Sequence, residues 1–234
     1  VIAIANDPDG FNINQDCGAV HPQTLAATVL AHGADVGVAL DGDADRLILV
    51  DETGTEINGD QVLACLAREM QSRGTLSGKA VVGTVMTNGG IEPFLSGLGL
   101  QLHRTAVGDR YVLERMRQEG FNLGGESSGH ILMTSLSTSG DGLIAALQML
   151  HLLSRNEQPA SRLFHAFVPR AQKLVNLEGI DPAILTRPTM VDQLAAIEAK
   201  AADGARILVR PSGTQSLIRV MVEADDEATL DAIM

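Results

Sequence analysis

The stretch VALDGDADRLILVDETG, residues 38–54, sets Asp41, Asp43 and Asp45 within five positions, directly after an apolar run. VGVAL (36–40) and LILV (47–50) have the β-branched and aliphatic character of buried strands, so the acidic cluster caps a buried strand. Like charges this close repel, and something must relieve the repulsion. A divalent cation would do so, and oxygen-only ligands suit Mg²⁺, which prefers octahedral geometry and usually shares its shell with phosphate. Gly42 lets the backbone turn so that alternate carboxylates converge, and Arg46 would neutralise a phosphate on the same metal. The spacing also mimics a calcium loop, with Glu52 at the twelfth position. That reading fails because Arg46 occupies the position that needs glycine and the flanks are strands. An Asp-x-Asp phosphatase nucleophile after a strand, and a solvated acidic turn, remain as alternatives.

The chain has 234 residues, enough for one large domain or two ordinary ones. With no Trp and a single Tyr, its core must be built from Leu, Val, Ile, Ala and Met. A formal net charge of −12 argues against nucleic acid as a partner, which needs a basic surface. Cys17 and Cys65 give no disulfide framework and no metal-ligand spacing, which predicts reduced thiols and a cytoplasmic protein. No apolar run reaches the roughly 18 residues of a membrane span, and no signal peptide is visible, so no membrane partner is expected. The opening VIAIANDPDG reads as the end of a buried strand followed by a turn, which suggests a piece of a longer protein.

Strand and helix patterns alternate along most of the chain. TLAATVLAHG (24–33) and GDQVLACLAREMQSRG (59–74) space their apolar residues for helices ended by glycine. KAVVGTVMT (79–87) and QLHRTAV (101–107) read as strands about a short helix, IEPFLSGLG. YVLERMRQEG (111–120) is a helix, FNLGGESSGHILM is strand, loop and strand, and SGDGLIAALQMLHLLSRN (139–156) is the longest helix. Alternation of this kind implies an α/β fold of βαβ units around a mixed, mainly parallel sheet.

The tail differs. QKLVNLEG (172–179) is a strand, VDQLAAIEAKAADG a helix, and RILVR and LIRVMVEA form a hairpin, which predicts a small α+β domain. RNEQPASRLFHAFVPRA reads as the linker to it. The expected division is 1–53, 54–168 and 169–234.

Three further loops carry candidate chemistry. In RPSGTQSLIR (210–219), Ser212, Gly213 and Thr214 offer hydroxyls and open backbone N–H groups between Arg210 and Arg219, the donor set of a phosphate cradle. A plain hairpin turn is the alternative. In GGESSGH (124–130), Glu126 can accept from adjacent sugar hydroxyls and His130 can exchange a proton near neutrality; a glycine-rich turn with a surface histidine reads equally well. VGDRYV (107–112) puts Asp109 and Arg110 between a strand and a helix, where a doubly wound fold binds ligands, or where Asp109 simply caps the helix.

DGDADR, VGDRYV, GESSGH and RPSGT, in this order, resemble the metal, substrate and phosphate loops of the α-D-phosphohexomutases. NINQDCGAVHP (12–22), NGDQ (58–61), AVGDRYVLERM (106–116) and SLIRVMVEADDEA (216–228) are similar in particular to the branch acting on glucosamine phosphates. The resemblance implies four domains around a central cleft, the first three α/β and the fourth a smaller α+β unit. It implies exchange of hexose 6-phosphates and 1-phosphates through a bisphosphorylated sugar, with a phosphoserine carrier and Mg²⁺, supplying amino-sugar nucleotides and cell-wall precursors. A phosphoglucomutase or phosphomannomutase specificity within the family is the alternative.

Carried over by residue, Asp41, Asp43 and Asp45 would hold Mg²⁺ and Arg46 would face the phosphoserine. Glu126 and Ser128 would grip the sugar, and Arg210, Ser212, Gly213, Thr214 and Arg219 would hold the non-reacting phosphate of a hexosamine phosphate substrate. His130 and Arg110 would lie near the transferring group. Ala44 replaces a commoner glycine, expected to be harmless, and Gln215 and Ser216 replace the usual Glu and Pro, which would loosen the phosphate loop.

The family's Ala-Ser-His-Asn-Pro segment, with its catalytic serine, has no match in the chain. The expectation is therefore a C-terminal half whose partner is the missing N-terminal half of the same protein; a homodimer is left open. A free-standing phosphatase using Asp41 would need a downstream strand-end lysine, and Lys79 lies at the wrong end. That reading also leaves RPSGT and GESSGH unexplained, and a non-catalytic sugar-phosphate binding module is the remaining alternative.

Overall fold

The computed structural model describes residues 1–200, 205–212 and 217–233. Val1–Val168 and Pro169–Met234 are two compact units. In the first, β1 (Val36–Leu40), β2 (Leu47–Asp51) and β3 (Glu56–Ile57) form an antiparallel meander. The expected boundary between residues 53 and 54 falls inside its β2–β3 hairpin. α1 (Gln23–His32) packs on this sheet and stops at Gly33, whose left-handed backbone returns its N–H to Val29 and Leu30 carbonyls.

The second sheet runs β5-β4-β6-β7, from β4 (Ala80–Thr84), β5 (Gln101–Thr105), β6 (Leu123–Gly125) and β7 (Ile131–Met133). β4 is parallel to both β5 and β6, and β7 closes the sheet antiparallel. The parallel arrangement read from the sequence is thus confined to three strands of a mixed sheet.

Helices cover both faces. α4 (Asp109–Glu119) lies on one, where Val112 and Met116 meet Ala80, Val82 and Phe121. On the other sit α2 (Gly59–Ser72), α3 (Ile91–Gly97) and α5 (Gly142–Ser154). α2 is the axle of the unit. Asn58 caps it by accepting from the Gln61 N–H, and ten of its fourteen residues are buried, because elements pack against it from several sides. α5 starts at an Asp141 cap, three residues later than the apolar pattern.

Two readings need correction. Residues 1–5 form no strand and are largely exposed: apolar residues make a strand only when a neighbouring strand takes their backbone groups, and none of the described strands does. The presumed linker is mostly core. It contains α6 (Ala160–Leu163), buries Phe164 completely, and is held by side chains from β2 and α2. Gln61 accepts from Ala166 N–H and donates to the Phe167 carbonyl, at 2.8 and 2.9 Å. Arg68 donates to Leu163 O, Ser161 is bonded by Glu52, and His165 meets Asp51. Composition reads as linker here because the hydrogen bonds come from residues about 100 positions away.

In the second unit, β8 (Ala171–Glu178), β9 (Arg206–Pro211) and β10 (Leu217–Ala224) form an antiparallel sheet ordered β8-β10-β9. The last strand in sequence is central. A 3-10 helix (Pro182–Thr186), α7 (Pro188–Lys200) and α8 (Glu227–Ile233) accompany it. The register puts Val220 between Val175 and Val209 on one face, and Arg219 between Asn176 and Arg210 on the other. Glu223 on that second face is buried, neutralised by Arg206 at 3.0 Å. No helix among the described residues is long and apolar enough to cross a membrane.

Candidate active site

The loop between β1 and β2 carries the acidic cluster, and the chain folds it tightly. Ala44 N–H returns to Asp41 O at 3.1 Å, and the Arg46 N–H donates to Asp41 Oδ1 at 3.1 Å. Alternate aspartates therefore turn to one side: a carboxylate oxygen from each of Asp41, Asp43 and Asp45 lies within 4.8 Å of the others. Burial, first, and then the charges of Asp41 and Asp43 raise the Asp45 carboxyl above its ordinary range, while His130 pulls it down. Three acceptors at this spacing, with one destabilised by its neighbours, fit an oxygen-liganded divalent cation.

Other loops clamp this one. Leu47 N–H donates to Gly129 O at 3.0 Å, Arg46 bridges to His130, and Gly142 N–H at the start of α5 donates to Ala44 O at 2.9 Å. These approaches need glycine. A Cβ on Gly129, at φ +93°, would stand 2.0 Å from the Leu47 carbonyl, and one on Gly140 would stand 2.1 Å from His130 Nε2. Ala44 has φ +59°, a left-handed backbone that strains any residue with a Cβ. The turn requires this conformation whatever residue stands there, at a small cost for alanine.

His130 is buried in the hairpin between β6 and β7. Its Nδ1 lies 3.0 Å from Asp45 Oδ2. Its Nε2 makes no hydrogen bond and looks towards Asp109 Oδ2 at 4.0 Å. Gly108, with φ +130°, is the N-cap of α4, so Asp109 is the first helical residue and not the cap. Gly108 N–H donates to Glu126 Oε1 at 3.0 Å, fixing that carboxylate between the loops following β5 and β6. These are the carboxyl ends of parallel strands, where an α/β sheet opens its crevice. Ser128 is exposed at the tip of the same turn. Arg110 does not join the group: its guanidinium lies 4.4 Å over the Tyr111 ring and donates to the Tyr111 hydroxyl.

The first unit thus brings together Asp41, Asp43, Asp45, Arg46, Glu126 and His130. In the second unit Arg210 and Arg219 are direct cross-strand partners, and Ser212 N–H closes the strand end onto Leu217 O at 2.9 Å. Gly213, Thr214, Gln215 and Ser216 lie outside the described residues. Two guanidinium groups side by side on one sheet face are a donor set that suits an anion.

Sequence reasoning missed two buried carboxylates that order neighbouring segments of the first unit. Asp60, 2% exposed, accepts from Asn88 N–H at 2.9 Å and orders the loop after β4. Asp51, 1% exposed, accepts from Thr53, Thr55 and His165. A carboxylate at a strand end or helix start looks solvated in sequence. Only the partners reveal otherwise.

Residues 58–171 match the family model "phosphoglucomutase/phosphomannomutase, alpha/beta/alpha domain III", and residues 166–234 match its C-terminal domain. The chain is 53% identical over 234 residues to a phosphoglucosamine mutase of Roseobacter denitrificans and 51% over 237 residues to one of Rhodospirillum rubrum. Those alignments cover 99% and 100% of this chain, which spans about half, 52%, of each relative. Among solved structures, a phosphoglucomutase/phosphomannomutase family protein of Burkholderia thailandensis has a TM-score of 0.74 at 24% identity, covering 92% of this chain and 48% of that one. N-acetylphosphoglucosamine mutase of Aspergillus fumigatus, in complex with GlcNAc-6P and magnesium, has a TM-score of 0.75 at 20% identity, covering 94% and 51%. At such identities the structures speak for the fold. Two consecutive domain models, which together run from residue 58 to residue 234, establish that the chain belongs to the phosphoglucomutase/phosphomannomutase family.

Proposed function

We propose that the chain forms the metal-, sugar- and phosphate-binding portion of a phosphoglucosamine mutase, an isomerase that interconverts glucosamine 6-phosphate and glucosamine 1-phosphate. The observation that carries this reading is the convergence of Asp41, Asp43 and Asp45 beside His130, in a chain about half identical to phosphoglucosamine mutases along its whole length. Residues 1–57, with the β2–β3 hairpin kept whole, would belong to the second domain of the parent fold, 58–168 to the third and 169–234 to the fourth. The two free cysteines, with burial pushing the Cys65 thiol up to about 12, suit a reducing, cytoplasmic setting.

Asp41, Asp43 and Asp45 would hold Mg²⁺, which when bound neutralises charge on a transferring phosphoryl group. Arg46 would contact that group's oxygens. Glu126, oriented by the Gly108 N–H, would accept from adjacent sugar hydroxyls with Ser128 beside it. His130 would hold Asp45 through Nδ1 and keep Nε2 for a proton near the reacting oxygen. Arg210, Ser212, Gly213, Thr214 and Arg219 would bind the phosphate that is not reacting. Arg110, engaged with Tyr111, would need to leave that ring to take part. The phosphoryl carrier is assigned to a serine outside these 234 residues, because no Ala-Ser-His-Asn-Pro segment occurs among them.

Calorimetry tests the metal site. Wild type should bind Mg²⁺, and Asp43→Asn should weaken that binding by about tenfold or more, since a liganding charge is lost while the exposed side chain carries none of the core. Equal affinity in the two proteins would remove Asp43 from the site. Joined to the preceding half of the Roseobacter denitrificans relative, the chain should show mutase turnover that Asp43→Asn abolishes.

A further inference from the structure

The acidic loop holds a cation of its own. Arg46 Nε stands 3.5 Å from Asp41 Oδ2 and 3.8 Å from Asp45 Oδ1, so one guanidinium straddles two of the three carboxylates assigned to the metal. Both separations exceed the roughly 2.7–2.9 Å of a charge-assisted hydrogen bond. The Arg46 side chain is 46% exposed. It is a counter-ion held by charge and not by geometry, and such pairs are weak.

We infer that Arg46 is a stand-in cation: it occupies the carboxylate cluster until Mg²⁺ arrives, and the incoming metal turns it outward to receive an anion. This rests on the metal reading above and adds a regulation of that site. Asp41 Oδ1 is already bonded by the Arg46 N–H and Asp45 Oδ2 by His130, so the oxygens left to a metal, Asp41 Oδ2 and Asp45 Oδ1, are the two that face the guanidinium, and the two cations compete for them. Displaced from them, Arg46 stays tethered by its own backbone, whose N–H is bonded to Asp41 Oδ1 and whose position is bridged to His130. Its guanidinium can then swing only within reach of the site. Metal and anion binding become linked: metal frees the arginine that the anion needs, and by reciprocity a bound anion draws the arginine away and strengthens the metal. The loop would bind a phosphate poorly without Mg²⁺ although a cation is present.

The full chain can be tested with Mg²⁺ and inorganic phosphate. Arg46→Gln should bind Mg²⁺ about 2- to 10-fold more tightly than wild type when phosphate is absent, because the competing ion pairs are gone. Phosphate should tighten Mg²⁺ binding in wild type but change it less than twofold in Arg46→Gln. In ¹⁵N-arginine spectra, the Arg46 Nε–H resonance, assigned by its loss in Arg46→Lys, should move with the same midpoint as the Mg²⁺ heat. Tighter binding in Arg46→Gln with an unmoved Arg46 resonance in wild type would mean repulsion at a distance and overturn the stand-in. So would equal Mg²⁺ affinity in wild type and Arg46→Gln. Absence of Mg²⁺ binding to wild type would remove the metal reading and this inference together.

Discussion

Two hairpins of this protein each gather like charges, and they do so by different means. Between β1 and β2, three carboxylates converge because a tight turn, an arginine from the same turn and bonds from the 126–130 loop and α5 force them together. On β9 and β10, Arg210 and Arg219 face each other because strand register alone makes them opposite partners. The first site depends on parts distant in sequence. The second needs only a correctly paired sheet. The contrast predicts that the acidic site breaks through its distant neighbours, whereas the arginine pair follows the pairing of its two strands.

The sharpest way to break the acidic hairpin is Gly129→Ala. A methyl group 2.0 Å from the Leu47 carbonyl, on a backbone at φ +93°, adds overpacking to left-handed strain. The expected cost is roughly 2–5 kcal/mol, read as a lower urea midpoint, together with loss of Mg²⁺ binding. An unchanged midpoint would mean that the 126–130 turn does not clamp the loop.

Arg210→Ala tests the other hairpin. It should remove about 1.5–3 kcal/mol of charge-assisted contact, one to two decades in affinity for glucosamine 6-phosphate, with little change for free glucosamine. Its folding midpoint should move less than that of Gly129→Ala, since the substitution leaves the backbone pairing of β9 with β10 in place. Equal losses for both ligands would assign the strand pair to the sugar.

Asp51 lies under the acidic hairpin at the far end of β2, and its effect depends on pH. Burial alone would raise its carboxyl, but bonds from the Thr53 hydroxyl, His165 and the Thr53 and Thr55 N–H groups hold it below the ordinary 3.8. A lowered folded value means that the carboxylate stabilises the fold above the unfolded value, and that this is lost as pH falls through the folded one. Asp51→Asn should therefore cost about 1–3 kcal/mol at pH 7 and much less once pH has fallen through the lowered folded value, narrowing the gap to wild type in acid unfolding curves. A gap independent of pH would mean that packing and not charge holds residue 51.

The smallest effect is expected at Ala44. Ala44→Gly relieves a left-handed backbone at φ +59° but adds freedom to the unfolded chain. The net gain should be at most about 1 kcal/mol in thermal or urea unfolding. A loss of stability would show that the methyl group packs usefully in the turn.

How much of this was legible in sequence follows from how local each feature is. The DGDADR loop could be read because its donors are contiguous and its flanking runs are apolar on both sides. Arg210 and Arg219 could be read because two strands joined by a short turn have nearly one choice of register. Residues 1–5 misled for the opposite reason: an apolar run states what it could pair with and not whether a partner exists. The segment 155–168 misled because its bonds come from Asp51, Glu52, Gln61 and Arg68, far away along the chain.

The sequence by itself determined the alternation of strands and helices, the four candidate loops and the residue types each offers. These depend on hydrophobic period, turn chemistry and charge, all properties of neighbours in the chain. Tertiary structure alone decided that β10 is the central strand of its sheet, that Glu126 is oriented by Gly108, and that Arg110 lies on Tyr111. It also decided that His130 is buried with Nδ1 on Asp45, a contact that ties two loops 85 residues apart. Such facts need two segments to meet in space, and a hydrogen-bond donor has no preference among distant acceptors until packing places one beside it.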